Sequence, residues 1–203
     1  MASSPDGLPF SQASENNKGY ILEILQRHLT PPGKILEIGS GSGQHAAFFA
    51  ESLPGLHWQA SETAAMVDTS ALRISAADLP NLPAPIALDV NQPDWGPVAV
   101  DAVFTSNTLH IIDTASVENF FLGAGRCLAA GGLLLIYGPF KYGGEFTTQS
   151  NASFDGWLKE RDPRSGLRDF EWVDELASAQ DLLLLEDNAM PANNQLLVWR
   201  KQS

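Results

Sequence analysis

Residues 35–45 read ILEIGSGSGQH, a short apolar run that breaks into three glycines alternating with serines. A strand that turns directly into a helix needs glycine where the backbone takes unusual dihedrals or where a ligand must come close to the chain. Gly39, Gly41 and Gly43 meet that need, with Ser40 between the first two and His45 in the helix that follows. Gly41 to Ala46 also satisfies G-x-G-x-x-G/A, and Glu62 follows Gly43 by about the twenty residues expected of a ribose-binding acid. The glycines alone do not choose between S-adenosylmethionine and NAD.

Apolar spacing outward from this turn predicts alternating elements. Helices are expected over 16–29, 44–51, 66–79 and 117–128, and strands over 34–38, 56–60, 86–90, 98–105 and 133–137. Thr30-Pro31-Pro32-Gly33 stops the first helix before the first strand. Such alternation predicts an α/β fold with a parallel sheet and helices on both faces. The last third departs from it. Helices over 154–161 and 173–179 are followed by strands over 182–186 and 195–200, joined only by the short MPANN insert. Strands linked so closely, without a crossover helix, are antiparallel. A seven-stranded, mostly parallel sheet with a C-terminal antiparallel hairpin is similar to the Rossmann-like class I methyltransferase fold, whereas a dinucleotide domain would continue in βα units.

Acids bear on the choice of cofactor. Glu37 precedes the first glycine inside its strand, Glu62 follows the second strand, and Asp89, with Val90 beside it, closes the third. Ligands of open α/β sheets bind at the carboxyl ends of strands. S-adenosylmethionine carries a sulfonium and an ammonium, so a cleft lined by carboxylates suits it better than it suits a pyrophosphate. Glu62 can accept hydrogen bonds from both ribose hydroxyls.

The 203 residues suit a single domain spanning 1–203, with 1–14 as a flexible or cofactor-covering segment. Twelve basic residues against 24 acidic ones give a net charge of -12, which repels phosphate backbones and anionic lipid heads. Nucleic-acid and membrane partners are therefore not expected. The one cysteine, Cys127, excludes an intramolecular disulfide framework, and the N-terminus lacks a basic start followed by an apolar core. These features predict a soluble, cytoplasmic protein; they do not specify an oligomeric state.

The chain resembles the methyltransferase-like protein 26 group, a domain-of-unknown-function family of class I methyltransferase type. The resemblance is carried by SENNKGYILEIL, ILEIGSGSGQH, HWQASE, LDV, SNTLHI, FFLGAGRCLAAGGLLLIYGPF, SNASFD, RDPRSGLRD and MPANNQLLVWRK, which run from Phe10 to Lys201. Two departures stand out: Asn16 where the group's pattern has arginine, and Glu62 where aspartate is usual. The resemblance implies the fold and S-adenosylmethionine binding, for which Glu37, Gly39, Ser40, Gly41, Gly43, His45, Glu62, Asp89, Val90 and Asn107 are the expected residues. It implies no acceptor.

Methyl transfer needs an acceptor held in line and water kept out. Asn107 and His110, in the loop after the fourth strand, are the candidates to flank the methyl, and an imidazole near neutrality is a possible base. The glycine-rich stretch 138–151 reads as a flap carrying Tyr142, a third catalytic candidate, and Asn151. Arg161 and Arg168 lie in a charged stretch that reads either as a salt-bridged connector or as a site for an anionic acceptor, while Asn193 and Asn194 belong either to turn geometry or to the acceptor side. The histidines show no metal-ligand spacing, so no metal is expected. The expected acceptor is a small molecule, with protein acceptors open. Two alternatives remain: a non-catalytic cofactor- or partner-binding protein, and an NAD-dependent oxidoreductase, which the lack of a helical Tyr-x-x-x-Lys pair disfavours.

Overall fold

The computed structural model describes residues 2–3, 7–96 and 99–202. Val98, where the fourth strand was expected to start, and Met1 and residues 4–6 of the expected N-terminal segment lie outside the described residues. The main sheet has seven strands: β1 (Gly33–Ile38), β2 (Leu56–Glu62), β3 (Ile86–Ala87), β4 (Val100–Ser106), β5 (Leu128–Gly138), β6 (Leu182–Met190) and β7 (Asn194–Lys201). Their order is β6-β7-β5-β4-β1-β2-β3, with β7 inserted beside β5. Connecting helices are α1 (Gln12–His28), α2 (Gln44–Ser52), α3 (Val67–Ala77), α4 (Thr114–Cys127), α5 (Gln149–Arg161) and α6 (Phe170–Ser178). Two compact units make up the chain: residues 1–89 with 100–105, and residues 90–99 with 106–203.

In the first unit β1 pairs in parallel with both β2 and β4, and β2 with β3. The register sets Ile35 opposite Trp58 and Glu37 opposite Ala60. Trp58, Phe49 and Phe104 are fully buried and meet one another with ring centroids 5.3 to 5.8 Å apart. Aromatic pairs at such distances add about 0.5–1.5 kcal/mol each beyond the area they bury. Helix α1 begins earlier than the expected Asn16, because the Ser11 side chain accepts from the Ser14 amide and caps it.

In the second unit β7 runs antiparallel to β6 and to β5, which bears out the expected hairpin. The glycine-rich stretch after β5 is ordered structure. Phe140–Tyr142 pairs in parallel with Arg168–Asp169 and antiparallel with Glu145–Phe146. Thr148 then caps α5 by accepting from the Asn151 amide. Helix α5 therefore starts at Gln149 and not at Phe154, and the expected flap holds two short paired strands, with its last residues, 149–151, in the helix.

Candidate functional site

The first unit carries the glycine turn. Gly39, Gly41 and Gly43 all have positive φ (74°, 55° and 74°), so each depends on glycine for its backbone. They differ in surroundings. A Cβ on Gly43 would lie 2.9 Å from the Ser70 carbonyl oxygen, so this glycine lets the turn pack against α3. A Cβ on Gly41 would meet nothing within 4 Å, which leaves open space over the middle of the turn. The Gly41 amide donates to Glu62 Oε2 at 2.9 Å, and Glu62 Oε1 accepts from the Thr63 amide at 2.8 Å. The carboxylate at the end of β2 is thereby fixed beside the open turn. The Gly39 and Ser40 amides both donate to the Ser61 carbonyl, tying the turn to the same strand.

Glu37 is buried, and its Oε2 accepts from the Trp58 indole at 2.9 Å. Burial pushes its carboxyl up to about 7, opposed by the hydrogen bonds from Trp58 and Ser40 and reinforced by the charge of Glu62. Asp89 is exposed just past β3, and Val90 beside it is partly covered. His45 turns into the core: its Nε2 lies 2.7 Å from Asn17 Oδ1, and its ring stacks on Phe49 at 5.3 Å. Burial, with the Lys18 charge, pulls it down to about 4. This unit also has a groove of about 520 Å³ flanked by Lys18, Gln44, Phe48 and Arg73; Glu37, Gly41, Glu62 and Asp89 take no part in it. The groove thus borders the turn at Gln44 and excludes the strand-end acids.

In the second unit Asn107 has a left-handed backbone (φ 57°) and its amide donates to the Tyr137 carbonyl. His110 is buried, with its ring edge-on to Phe154 at 5.4 Å. Burial and the Arg168 charge pull it down to about 4. A Cβ on Gly138 would stand 3.6 Å from His110 Nδ1 and 3.9 Å from Asn107 Oδ1, so both polar side chains converge on the end of β5. Neither side chain has a hydrogen-bond partner among the described residues.

Other candidates in this unit are engaged. The Tyr142 hydroxyl donates to Asp187 Oδ2 at 2.7 Å; burial, and then this carboxylate, hold it well above the usual phenol range. Asn151 is buried and donates to Thr147 Oγ1 and to the Asn193 carbonyl, while Asn193 Nδ2 donates to Ser150 Oγ. Asn194 Nδ2 donates to the Pro191 and Ala192 carbonyls, closing the turn between β6 and β7. The Arg161 guanidinium lies over the exposed Trp157 ring at 4.5 Å, and Arg168 is buried against backbone carbonyls. Among the described residues no group of three His, Cys, Asp or Glu side chains could hold a metal, and no helix is long and apolar enough to cross a membrane.

Sequence reasoning missed Trp58 as the partner of Glu37, Asn17 as the partner of His45, and the backbone role of Arg168. The first two lie across strand and helix registers that one sequence does not display.

The architecture recurs in solved structures. An O-methyltransferase family protein from Burkholderia thailandensis matches with a TM-score of 0.82 at 18% identity, over 95% of this chain and 57% of that one. An O-methyltransferase family 2 protein from Planctomyces limnophilus, solved with apigenin, matches with 0.81 at 16% identity, over 93% and 58%. The S-adenosylmethionine-dependent methyltransferase SibL in its apo form matches with 0.78 at 17% identity, over 94% and 56%. At these identities the likeness establishes the fold, and the chain spans little more than half the length of each structure. Residues 8–201 match the model of the family described as "Protein of unknown function (DUF938)", and the chain belongs to that family.

Proposed function

We propose that this protein is an S-adenosylmethionine-dependent methyltransferase acting on a small-molecule acceptor. One observation carries the reading: Gly41 leaves open space over the turn, and the Glu62 carboxylate is fixed beside it. A carboxylate held by two backbone amides keeps lone pairs for ribose hydroxyls. Glu37, Glu62 and Asp89 would hold the cofactor, whose cationic groups suit a carboxylate cradle; when bound, it supplies an electrophilic methyl. The antiparallel β7 beside β5, the resemblance to the methyltransferase-like protein 26 group, and the small-molecule ligand of the fold relative solved with apigenin all support this reading.

Asn107 and His110 are the groups we assign to the acceptor. Their side chains make no protein hydrogen bonds among the described residues and point to the end of β5. His110 is neutral at physiological pH, and an imidazolium there would be buried near a guanidinium. It therefore orients an acceptor O–H or N–H through a ring nitrogen and does not store a proton. A second reading, a cofactor-binding protein without turnover, is favoured by the lack of a carboxylate against the His110 ring among the described residues.

Thermal unfolding with S-adenosylmethionine, S-adenosylhomocysteine and NAD tests the assignment. At about a hundred times the dissociation constant a ligand adds about 2.7 kcal/mol, or roughly 5–10 °C for a chain of this size. A rise with the first two and none with NAD is expected; a rise with NAD alone would overturn the reading. Conversion of S-adenosylmethionine to S-adenosylhomocysteine across an acceptor panel separates turnover from binding.

A further inference from the structure

Arg168 is the only buried Lys or Arg side chain among the described residues. Its Nε donates to the Leu109 carbonyl at 3.0 Å, and its Nη2 donates to the carbonyls of Ile112 and, at 3.2 Å, Arg164. Two residues earlier, the Gly166 amide donates to the His110 carbonyl at 2.9 Å. The carbonyls of Leu109, His110 and Ile112 are thus all taken by the segment 166–168. That segment is itself anchored on α5, where Asp155 Oδ1 accepts from the Leu167 amide at 2.8 Å. The residue before Asp155 is Phe154, whose ring meets the His110 imidazole. One helix therefore supplies both a wall for the imidazole and the anchor for its backbone clamp.

The charges around this clamp are Arg168, Arg164, Asp113, Asp155 and Lys159. Asp155 pairs with Lys159 at 2.7 Å, and Asp113 lies 3.6 Å from Arg164. Among the described residues Arg168 makes no ion pair of its own. Asp113 and Asp155 act on Arg168 only from beyond ion-pair distance, so its buried, hydrogen-bonded guanidinium keeps part of its field, which opposes a second positive charge nearby.

We propose that Arg168 is a positioning residue: it fixes the backbone on both sides of His110 and sets a positive charge behind the imidazole, so that His110 meets the acceptor as a neutral ring in one orientation. The proposal rests on the assignment of His110 to the acceptor side. It gives the RDPRSGLRD segment a role distinct from direct binding of an anionic acceptor. The low titration range of His110 accords with it, since Arg168 adds to the effect of burial there.

The test uses the full chain with its four histidines labelled, His110→Gln assigning the resonance. Imidazole signals are followed from pH 4 to 8 in the wild type, Arg168→Lys and Arg168→Met, together with amide exchange at Ile111, Ile112 and Gly166. In Arg168→Met the His110 midpoint should rise, by up to about one unit since burial remains the larger cause, and the three amides should exchange faster. In Arg168→Lys, which keeps the charge but loses the fork, the midpoint should stay low while exchange still accelerates. An unmoved His110 midpoint in Arg168→Met overturns the electrostatic part, and unchanged exchange in both variants overturns the clamp. If the methionine variant does not fold, Arg168→Lys decides: faster exchange with a low midpoint supports the proposal, and unchanged exchange removes it. S-adenosylmethionine binding is measured on the same samples. A wild type that fails to bind sinks the methyltransferase reading, whereas the titration and exchange still report on Arg168.

Discussion

Replacing Glu37 with glutamine should make the protein more stable at alkaline pH. The carboxyl is wholly buried, and burial raises its pKa from 4.5 to about 7. The folded state therefore holds this proton more tightly than the unfolded chain does. Between pH 4.5 and 7 the folded state binds more protons, so stability falls as pH rises through that window. A shift of about 2.5 units at ~1.4 kcal/mol per unit puts the loss at about 3 kcal/mol by pH 8. Glutamine keeps the Trp58 hydrogen bond through its carbonyl and carries no charge, so Glu37→Gln escapes the loss. Urea denaturation of both proteins at pH 5 and pH 8 is the assay. The variant should exceed the wild type by under about 1 kcal/mol at pH 5 and by about 3 kcal/mol at pH 8, which a thermal melt would read as roughly 6–12 °C. His45 and His110, both lowered to about 4, lose their stabilisation as pH falls from 6.5 through 4; because both proteins share that limb, it cancels in the difference. A difference that does not change with pH would show that Glu37 is already ionised inside the fold or already solvated, and the argument would fail. The same variant lacks a carboxylate of the proposed cradle, so its gain in stability should come with weaker S-adenosylmethionine binding.

The glycine turn separates packing from ligand approach. Gly43→Ala, with its methyl 2.9 Å from the Ser70 carbonyl and φ at 74°, should cost about 1–3 kcal/mol in chemical denaturation. Gly41→Ala meets no neighbour and should cost about 1 kcal/mol, yet weaken S-adenosylhomocysteine binding in calorimetry more than Gly43→Ala does; equal binding losses would remove Gly41 from the ligand face. Asn17→Ala strips the buried His45 of its partner and should cost about 1–3 kcal/mol, and a neutral result would mean that the ring finds another partner.

Local pattern and tertiary pairing account for what could be read from the chain. Alternating apolar runs and breakers located every strand of the main sheet, because each strand must bury its own residues whatever its neighbours. Boundaries slipped where apolar signal was missing. The residues AAGG at the start of β5 pack little apolar surface, so that strand was expected only from Leu133, whereas it begins at Leu128. The start of α1 rests on a serine cap and on contacts from Gln44, and the local hairpin at 140–146 gains its third strand from Arg168–Asp169, far along the chain. The acids at strand ends were legible from spacing alone. What Glu37, His45 and Arg168 touch was not, since a parallel register and a helix crossing leave no mark on one sequence. The charged look of RDPRSGLRD left a salt-bridged connector and an anion site both open; folding pairs Arg164 with Asp162, turns Arg168 inward to carbonyls and leaves Arg161 on a tryptophan face.

The bond from the Trp58 indole to Glu37 also gives the protein a built-in optical and magnetic gauge. The chain has five tryptophans, so a nitrogen-15 spectrum should hold five indole signals, one of them donated to a cradle acid. That signal would move when the carboxyl loses its proton and again when a cation settles beside it. Occupancy could then be followed in crude preparations without a label on the ligand, which makes the gauge a practical screen while the acceptor is being sought.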